Sequence, residues 1–426
     1  MISALLHSKR VKLISAICLG LVLCLSLLSR LLMQKPYQAH ATGSVSYHTS
    51  GKQILDDQNH VYIPYGVFVG GILLADKNWN QPGHATTHVT QDTVQAAHDF
   101  WYSNMISLAL AYDPLFPNGA NQPPDSNYVA FVDEIVGWAN ALNMNVDIVD
   151  EEQATHPPVS LPTINTMNFW NYMSTHYKNN PRVFFDLFNE PNIWHVGLTE
   201  PAGNNASTCP SSEGGTQAFS WDDACAWSYW KNGTTQGGVT YYGMDQIAHE
   251  IRQNGAQNLI IAQGLASGED IADLANTYTP ERGAEFLLTV PNVVYAVHPY
   301  FSSQHDTVTQ WDNWFGHAVS AGNFPVFVSE WGLDQEAASG CEANSTTEIP
   351  LISTFFRYIL SKNMGLVGWA LQPGDLIEGW DVRDPTTFPT STMPANCSEP
   401  PFNTDPTAQG VGQLLQLYLA THSVQS

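Results

Sequence analysis

The runs RVFFDLFNEPN (182–192) and PVFVSEWG (325–332) are built alike: an apolar stretch, fit for a strand covered on both faces, stops abruptly at a glutamate. A carboxyl at such a tip is expensive to desolvate unless a ligand or partner uses it. Pro191 removes a ladder donor, so the first of these strands ends close to Glu190. Two more runs end in polar or aromatic groups, VVYAVHPYF with His298 and Tyr300, and GLVGWALQPG with Trp369. Asn189 stands beside Glu190. The two glutamates are 140 positions apart, so only a fold that gathers strand ends can bring them together. Once gathered, one carboxyl can protonate a departing oxygen while the other meets a positive anomeric carbon. Breaking a glycosidic bond asks for that division of labour.

The elements that would position these tips alternate regularly. Strand-like runs occur around Ile63–Phe68, then in NMISLAL, NMNVDIV, VFFDLF, NLIIAQG, VVYAVHPYF, PVFVSEWG and GLVGWALQPG. Between them lie YVAFVDEIVGWANAL, MDQIAHEIRQNG and LISTFFRYILSKN, with apolar residues at helical spacing. This alternation predicts an α/β fold, a (β/α)8 TIM barrel with long loops on its C-terminal face. A doubly wound sheet is the alternative, but no Gly-rich phosphate loop supports it. GKQILDDQNHVYIPYGV reads as an N-terminal β-hairpin, with Asp56-Asp57 serving its turn. The segment from about Trp194 to Gly243 reads as one long loop, and it holds Trp194, Trp221, Trp227 and Trp230. Those rings either stack on sugar faces or simply pack the loop.

Residues 1–41 read as a signal peptide: Lys9, Arg10 and Lys12, then an apolar run, then Ala39-His40-Ala41. An uncleaved anchor is the alternative, though Arg30 interrupts the apolar run. Residues 42–426 then form a single catalytic barrel in a secreted protein. Removal of the signal takes away five of the 15 Lys and Arg and none of the 39 acids, leaving a charge of about −29. Such a surface repels phosphate backbones and anionic lipid, so neither nucleic acid nor membrane is an expected partner of the mature chain. Cys209, Cys225, Cys341 and Cys397 would remain, an even number in an exported chain. Four cysteines permit three pairings, and free buried thiols are the alternative. In the favoured pairing Cys209–Cys225 would close a local loop and Cys341–Cys397 would join the loops after the seventh and eighth strands. His84 and His88 lack a suitably placed carboxylate, so no metal and no cofactor is expected.

DLFNEPN, VHPYF, VSEWG and GWALQPG, in this order, resemble glycoside hydrolase family 5, the cellulase-like branch of a large clan of retaining barrels. The resemblance runs from about residue 45 to 420. It implies Glu190 as acid/base and Glu330 as nucleophile. Asn189 would bond the sugar 2-hydroxyl, Tyr300 would orient Glu330, His298 would line the site, and Trp369 would lie under the sugar. Trp194 is the candidate substrate contact on the loop after Glu190. The implied function is retaining hydrolysis of a β-linked polysaccharide, an endo-glucanase acting as a monomer. A β-mannanase, an exo-β-glycosidase and a carbohydrate-binding barrel with reduced catalysis are the alternatives. Two departures from the family pattern stand out. Its second strand carries an Arg where this chain has Ser107, and its third strand ends near a His pair where this chain has Asp150, Glu151, Glu152 and Gln153. Loss of that cation should raise the pKa of Glu330. The acids at 150–152 are either solvated loop charges or contacts to sugar hydroxyls.

Overall fold

The computed structural model describes residues 47–69, 89–119, 122–152, 161–192, 224–236, 238–275, 286–301, 306–332, 348–373, 375–377, 379–385 and 410–423. The signal segment, His84, His88, Trp194, Trp221 and the side chains of all six cysteines lie outside the described residues.

The chain enters through a small antiparallel sheet of β1 (His48–Ser50), β2 (Gln53–Leu55) and β3 (Val61–Tyr62). The expected hairpin is β2–β3, and β1 adds a third strand to it, pairing Thr49 with Ile54. Asp56 makes the turn: its Oδ1 accepts from the N–H groups of Gln58 and His60, both at 2.8 Å. Asn104 fastens this sheet to the barrel. Its Oδ1 accepts from Tyr62 OH at 3.0 Å and Tyr65 N–H at 2.9 Å, and its amide donates to the Ile63 carbonyl at 2.9 Å.

The barrel strands are β4 (Tyr65–Phe68), β5 (Met105–Leu110), β6 (Asn145–Asp150) and β7 (Val183–Asp186). After a side hairpin of β8 (Thr234–Gln236) and β9 (Val239–Tyr241) come β10 (Ile260–Gln263), β11 (Val293–Val297), β12 (Val326–Val328) and β13 (Leu366–Gly368). All eight barrel strands pair in parallel with their neighbours, and β13 closes on β4 with Val367 opposite Gly66. The eight expected strands are these eight; the first begins at Tyr65 rather than Ile63.

Helices cover the outside because their apolar faces recur at three-to-four spacing. In Ser126–Ala141 the buried set is Tyr128, Phe131, Val132, Ile135, Val136 and Ala139, and Asp125 caps the first turn through the N–H groups of Asn127 and Tyr128. Strand alternation sorts the rest. Along β7, Val183, Phe185 and Leu187 join the layer under the helices, while Phe184 points into the barrel with Met105, Ile261, Val294, Phe327 and Val367.

Of the segment expected as one long loop between Trp194 and Gly243, the described part from residue 224 onward is regular rather than loop. A helix spans Ala224–Asn232, and β8–β9 follows it. Trp227 and Trp230 are fully buried with ring centroids 5.2 Å apart. They pack the fold and are closed to a sugar.

Candidate active site

Glu190, His298 and Glu330 meet at the C-terminal mouth of the barrel. One donor atom from each lies within 4.8 Å of the others. His298 Nδ1 sits 3.3 Å from Glu190 Oε1 and 3.7 Å from Glu330 Oε2, while its Nε2 is 3.0 Å from Ser329 Oγ. Tyr300 OH donates to Glu330 Oε1 at 2.5 Å. Trp369 is partly buried, its ring 4.8 Å from Phe68, and its main-chain N–H donates to the Trp331 carbonyl at 2.8 Å. Donor spacing of this kind would admit a divalent ion. Two carboxyls flanking one imidazole also form a set among which protons can move.

The two carboxyls have unlike surroundings. The Glu190 side chain is 23% exposed and that of Glu330 only 6%. Burial pushes the Glu330 carboxyl up to about 8; His298 opposes the rise, and the charge of Glu190 adds to it. Burial works against a charged His298, but the two glutamates outweigh it and its pKa is raised. Burial likewise drives the Tyr300 phenol well up, with Glu330 next, so it remains a hydrogen-bond donor.

The missing cation has a visible consequence. Ser107 points into the barrel and donates to Asp147 Oδ2 at 3.1 Å. Asp147 and Asp186 are fully buried there, each with one oxygen lacking a protein partner. Burial raises both, Asp147 to about 7, and the charges of Asp147, Glu151 and Glu330 push Asp186 further. The acids at 150–152 are buried too, which removes the solvated-loop reading. Glu152 takes the N–H groups of Thr163 and Thr166 at 3.0 and 3.1 Å and so caps the helix Ile164–Tyr177. Glu151 Oε2 accepts from Asn189 Nδ2 at 3.0 Å.

The fifth barrel strand, β10, is one of the expected strands but carries no carboxyl to mark its tip as chemical. Its tip residue Gln263 nevertheless joins the site. Gln263 Oε1 accepts from Glu190 N–H at 2.7 Å; its Nε2 donates to Asp186 Oδ2 at 2.9 Å and to Asn189 Oδ1 at 3.2 Å. The turn after it supports His298: Gly268 has φ +83°, its carbonyl accepts from His298 N–H, and a Cβ there would meet His298 Cγ at 3.0 Å. A lone polar residue at an inward strand position was the available signal.

A closed parallel barrel with two glutamates on separate strand tips, flanked by His, Tyr and Trp, defines the class of barrel glycoside hydrolases. The family model for cellulase, glycosyl hydrolase family 5, matches residues 74–375, and the chain belongs to that family. Endoglucanase N of Pectobacterium atrosepticum is 23% identical over 286 residues, covering 67% of this chain and 50% of that protein. Endoglucanase 5 of Pectobacterium carotovorum subsp. carotovorum is equally similar, with 44% of its length covered. The chain thus spans about half the length of the curated relatives it matches. Among solved structures, the catalytic domain of Thermobifida fusca endoglucanase Cel5A superposes with a TM-score of 0.54 at 15% identity, over 88% of this chain and 98% of that one. The β-glucanase SdGluc5_26A of Saccharophagus degradans gives 0.54 at 20% identity, over 83% and 95%. At these identities the superpositions speak for the fold.

Proposed function

We propose that this protein hydrolyses a β-linked glucan with retention of configuration, in the manner of an endo-glucanase. The observation that carries this reading is the approach of Glu190 and Glu330 oxygens to within 4.8 Å. Retaining enzymes hold their carboxyls about 5–5.5 Å apart, whereas inverting ones leave roughly 6.5–9.5 Å for a water. In the first step Glu330 attacks the anomeric carbon as Glu190 gives its proton to the departing glycosidic oxygen. In the second, Glu190 takes a proton from water, the resulting hydroxide attacks the same carbon, and Glu330 leaves as a carboxylate. Glu330 must be ionised to attack. Tyr300 and His298 are the neighbours that favour that ion, standing in for the cation absent at Ser107. Asn189 would address the 2-hydroxyl and Trp369 the sugar face.

The same reading takes residues 1–41 as a cleaved signal, 42–426 as one catalytic domain, and the product as a secreted, disulfide-bonded monomer. Among the described residues no helix is long and apolar enough to cross a membrane. The names of the two relatives, both endoglucanases, favour a glucan over mannan, and both polymers are assayed. Glu190→Gln and Glu330→Gln should each lower turnover of β-glucan, by roughly 10²–10⁴-fold for the acid/base and at least as much for the nucleophile. The first product released by wild type should carry the β-anomer, read by NMR. Mutants as active as wild type would end the assignment, and binding without turnover in wild type would favour a carbohydrate-binding barrel.

A further inference from the structure

Glu190 sits in a backbone conformation that non-glycine residues rarely adopt, φ +49°, immediately before Pro191. Such a conformation is strained for a residue with a side chain and persists only where surroundings impose it. What imposes it here comes from β10 and the turn that follows. The Glu190 N–H, no longer part of the barrel ladder, donates to Gln263 Oε1 at 2.7 Å. The Pro191 carbonyl accepts from Ser267 N–H at 3.2 Å, and Asn192 Nδ2 donates to Ser267 Oγ at 2.9 Å. Glu330 takes its hydrogen bond from Tyr300, beyond the tip of β11, while His298 Nδ1 lies between the two carboxyls, 3.3 Å from Glu190 Oε1 and 3.7 Å from Glu330 Oε2. The main chain that carries Glu190 is thus set from β10 and its turn.

The amide of Gln263 has one workable orientation. Its Nε2 faces two acceptors, Asp186 Oδ2 and Asn189 Oδ1, so its oxygen is the atom left to face the Glu190 N–H. Reversing it would set a carbonyl oxygen against a carboxyl and an amide against an N–H. Trp230 Nε1, donating to the Gln263 carbonyl at 2.9 Å, fixes the main chain at the same point. Gln263 is 1% exposed and does not reach substrate directly.

From this we infer that Gln263 is a positioning residue for the proton-donating carboxyl: it fixes the main chain of Glu190 and, through Asn189, the neighbouring contact to the sugar. The inference rests on the assignment of Glu190 as acid/base. Its signature is selective. A misplaced acid matters most when the leaving oxygen needs a proton and least when the leaving group departs as a stable anion. The experiment compares wild type, Gln263→Met and Gln263→Glu on aryl β-glycosides of graded leaving-group acidity, from dinitrophenyl to an unactivated alkyl aglycone. For Gln263→Met, kcat/KM should fall roughly 10²-fold on the poorest leaving group and only a few-fold on dinitrophenyl. Gln263→Glu keeps an oxygen facing Glu190 and, when neutral, a donor facing Asp186. At pH 5 it should recover most of the loss. An equal fall across the series in both variants, or no fall in either, overturns the positioning role. A wild type inactive on every member overturns the enzymatic reading itself, and this inference with it.

Discussion

The inside of the barrel has two halves made by one rule and filled by opposite chemistry. In the lower half, inward positions are Met105, Phe184, Ile261, Val294, Phe327 and Val367, with Asn145 on β6 the polar exception, closed off below by Tyr47 and Tyr62 against Phe184. One inward step further along the same strands come Ser107, Asp147, Asp186, Gln263 and Ala296, then His298 and Ser329. Alternation with period two is unbroken; only the residue class changes. The lower half yields hydrophobic stability, while the upper half spends some of it to hold acids where a ligand can meet them.

That contrast breaks most easily from below. Phe184→Ala should cost about 3–5 kcal/mol of folding free energy, read from denaturant midpoints, while kcat/KM per folded molecule stays close to wild type. A loss of activity without a loss of stability would mean that the halves are not separable.

The upper half should reveal itself through pH. The folded-state pKa values of Asp147, Asp150, Asp186, Glu151, Glu152 and Glu330 are all raised by burial. A raised carboxyl makes the folded state bind more protons than the unfolded one, so its contribution is fully present below the unfolded pKa and is lost as pH rises through the folded value. For Asp147 that window runs from 3.8 to about 7. The protein should therefore be more stable at pH 5 than at pH 8, by several kcal/mol, on the order of one per pH unit or more. Asp147→Asn should flatten the slope by removing one titrating group, raising stability at pH 8 by more than at pH 5. A steeper slope in the variant would contradict this.

The smallest effect belongs to Ser107→Ala. The lost hydroxyl is the donor to Asp147 Oδ2, and it lowers the pKa of that acid. Its removal should cost about 0.5–1.5 kcal/mol at pH 8 and little at pH 5, and it should shift the Asp147 titration upward. Carboxyl-labelled NMR would follow that shift directly.

Much of this was legible in the residues. Apolar runs ending in Glu190, His298, Glu330 and Trp369 announced both the strands and the mouth, because a barrel places function at strand tips. The departure at Ser107 suggested a raised Glu330; the rise is there, but burial is its largest cause. Less legible was anything that depends on which face a polar residue takes. Glu151 and Glu152 look like a loop's charges in sequence, yet one holds Asn189 and the other caps a helix through Thr166, fourteen positions further on. Gln263 is one amide at the end of an apolar run, and its partners come from the preceding strand. The hairpin TTQGGVTY carried a readable Gly-Gly turn signal that the surrounding tryptophans overshadowed.

The seam where Leu366–Gly368 docks beside Tyr65–Phe68 joins segments about three hundred residues apart, through a strand of only three residues. Until that short piece arrives, its two neighbours present raw hydrogen-bonding edges, the surfaces on which unfinished chains find one another. A newly made molecule is thus most vulnerable to self-association late in its synthesis, and the keystone that ends the hazard is the strand leading into Trp369.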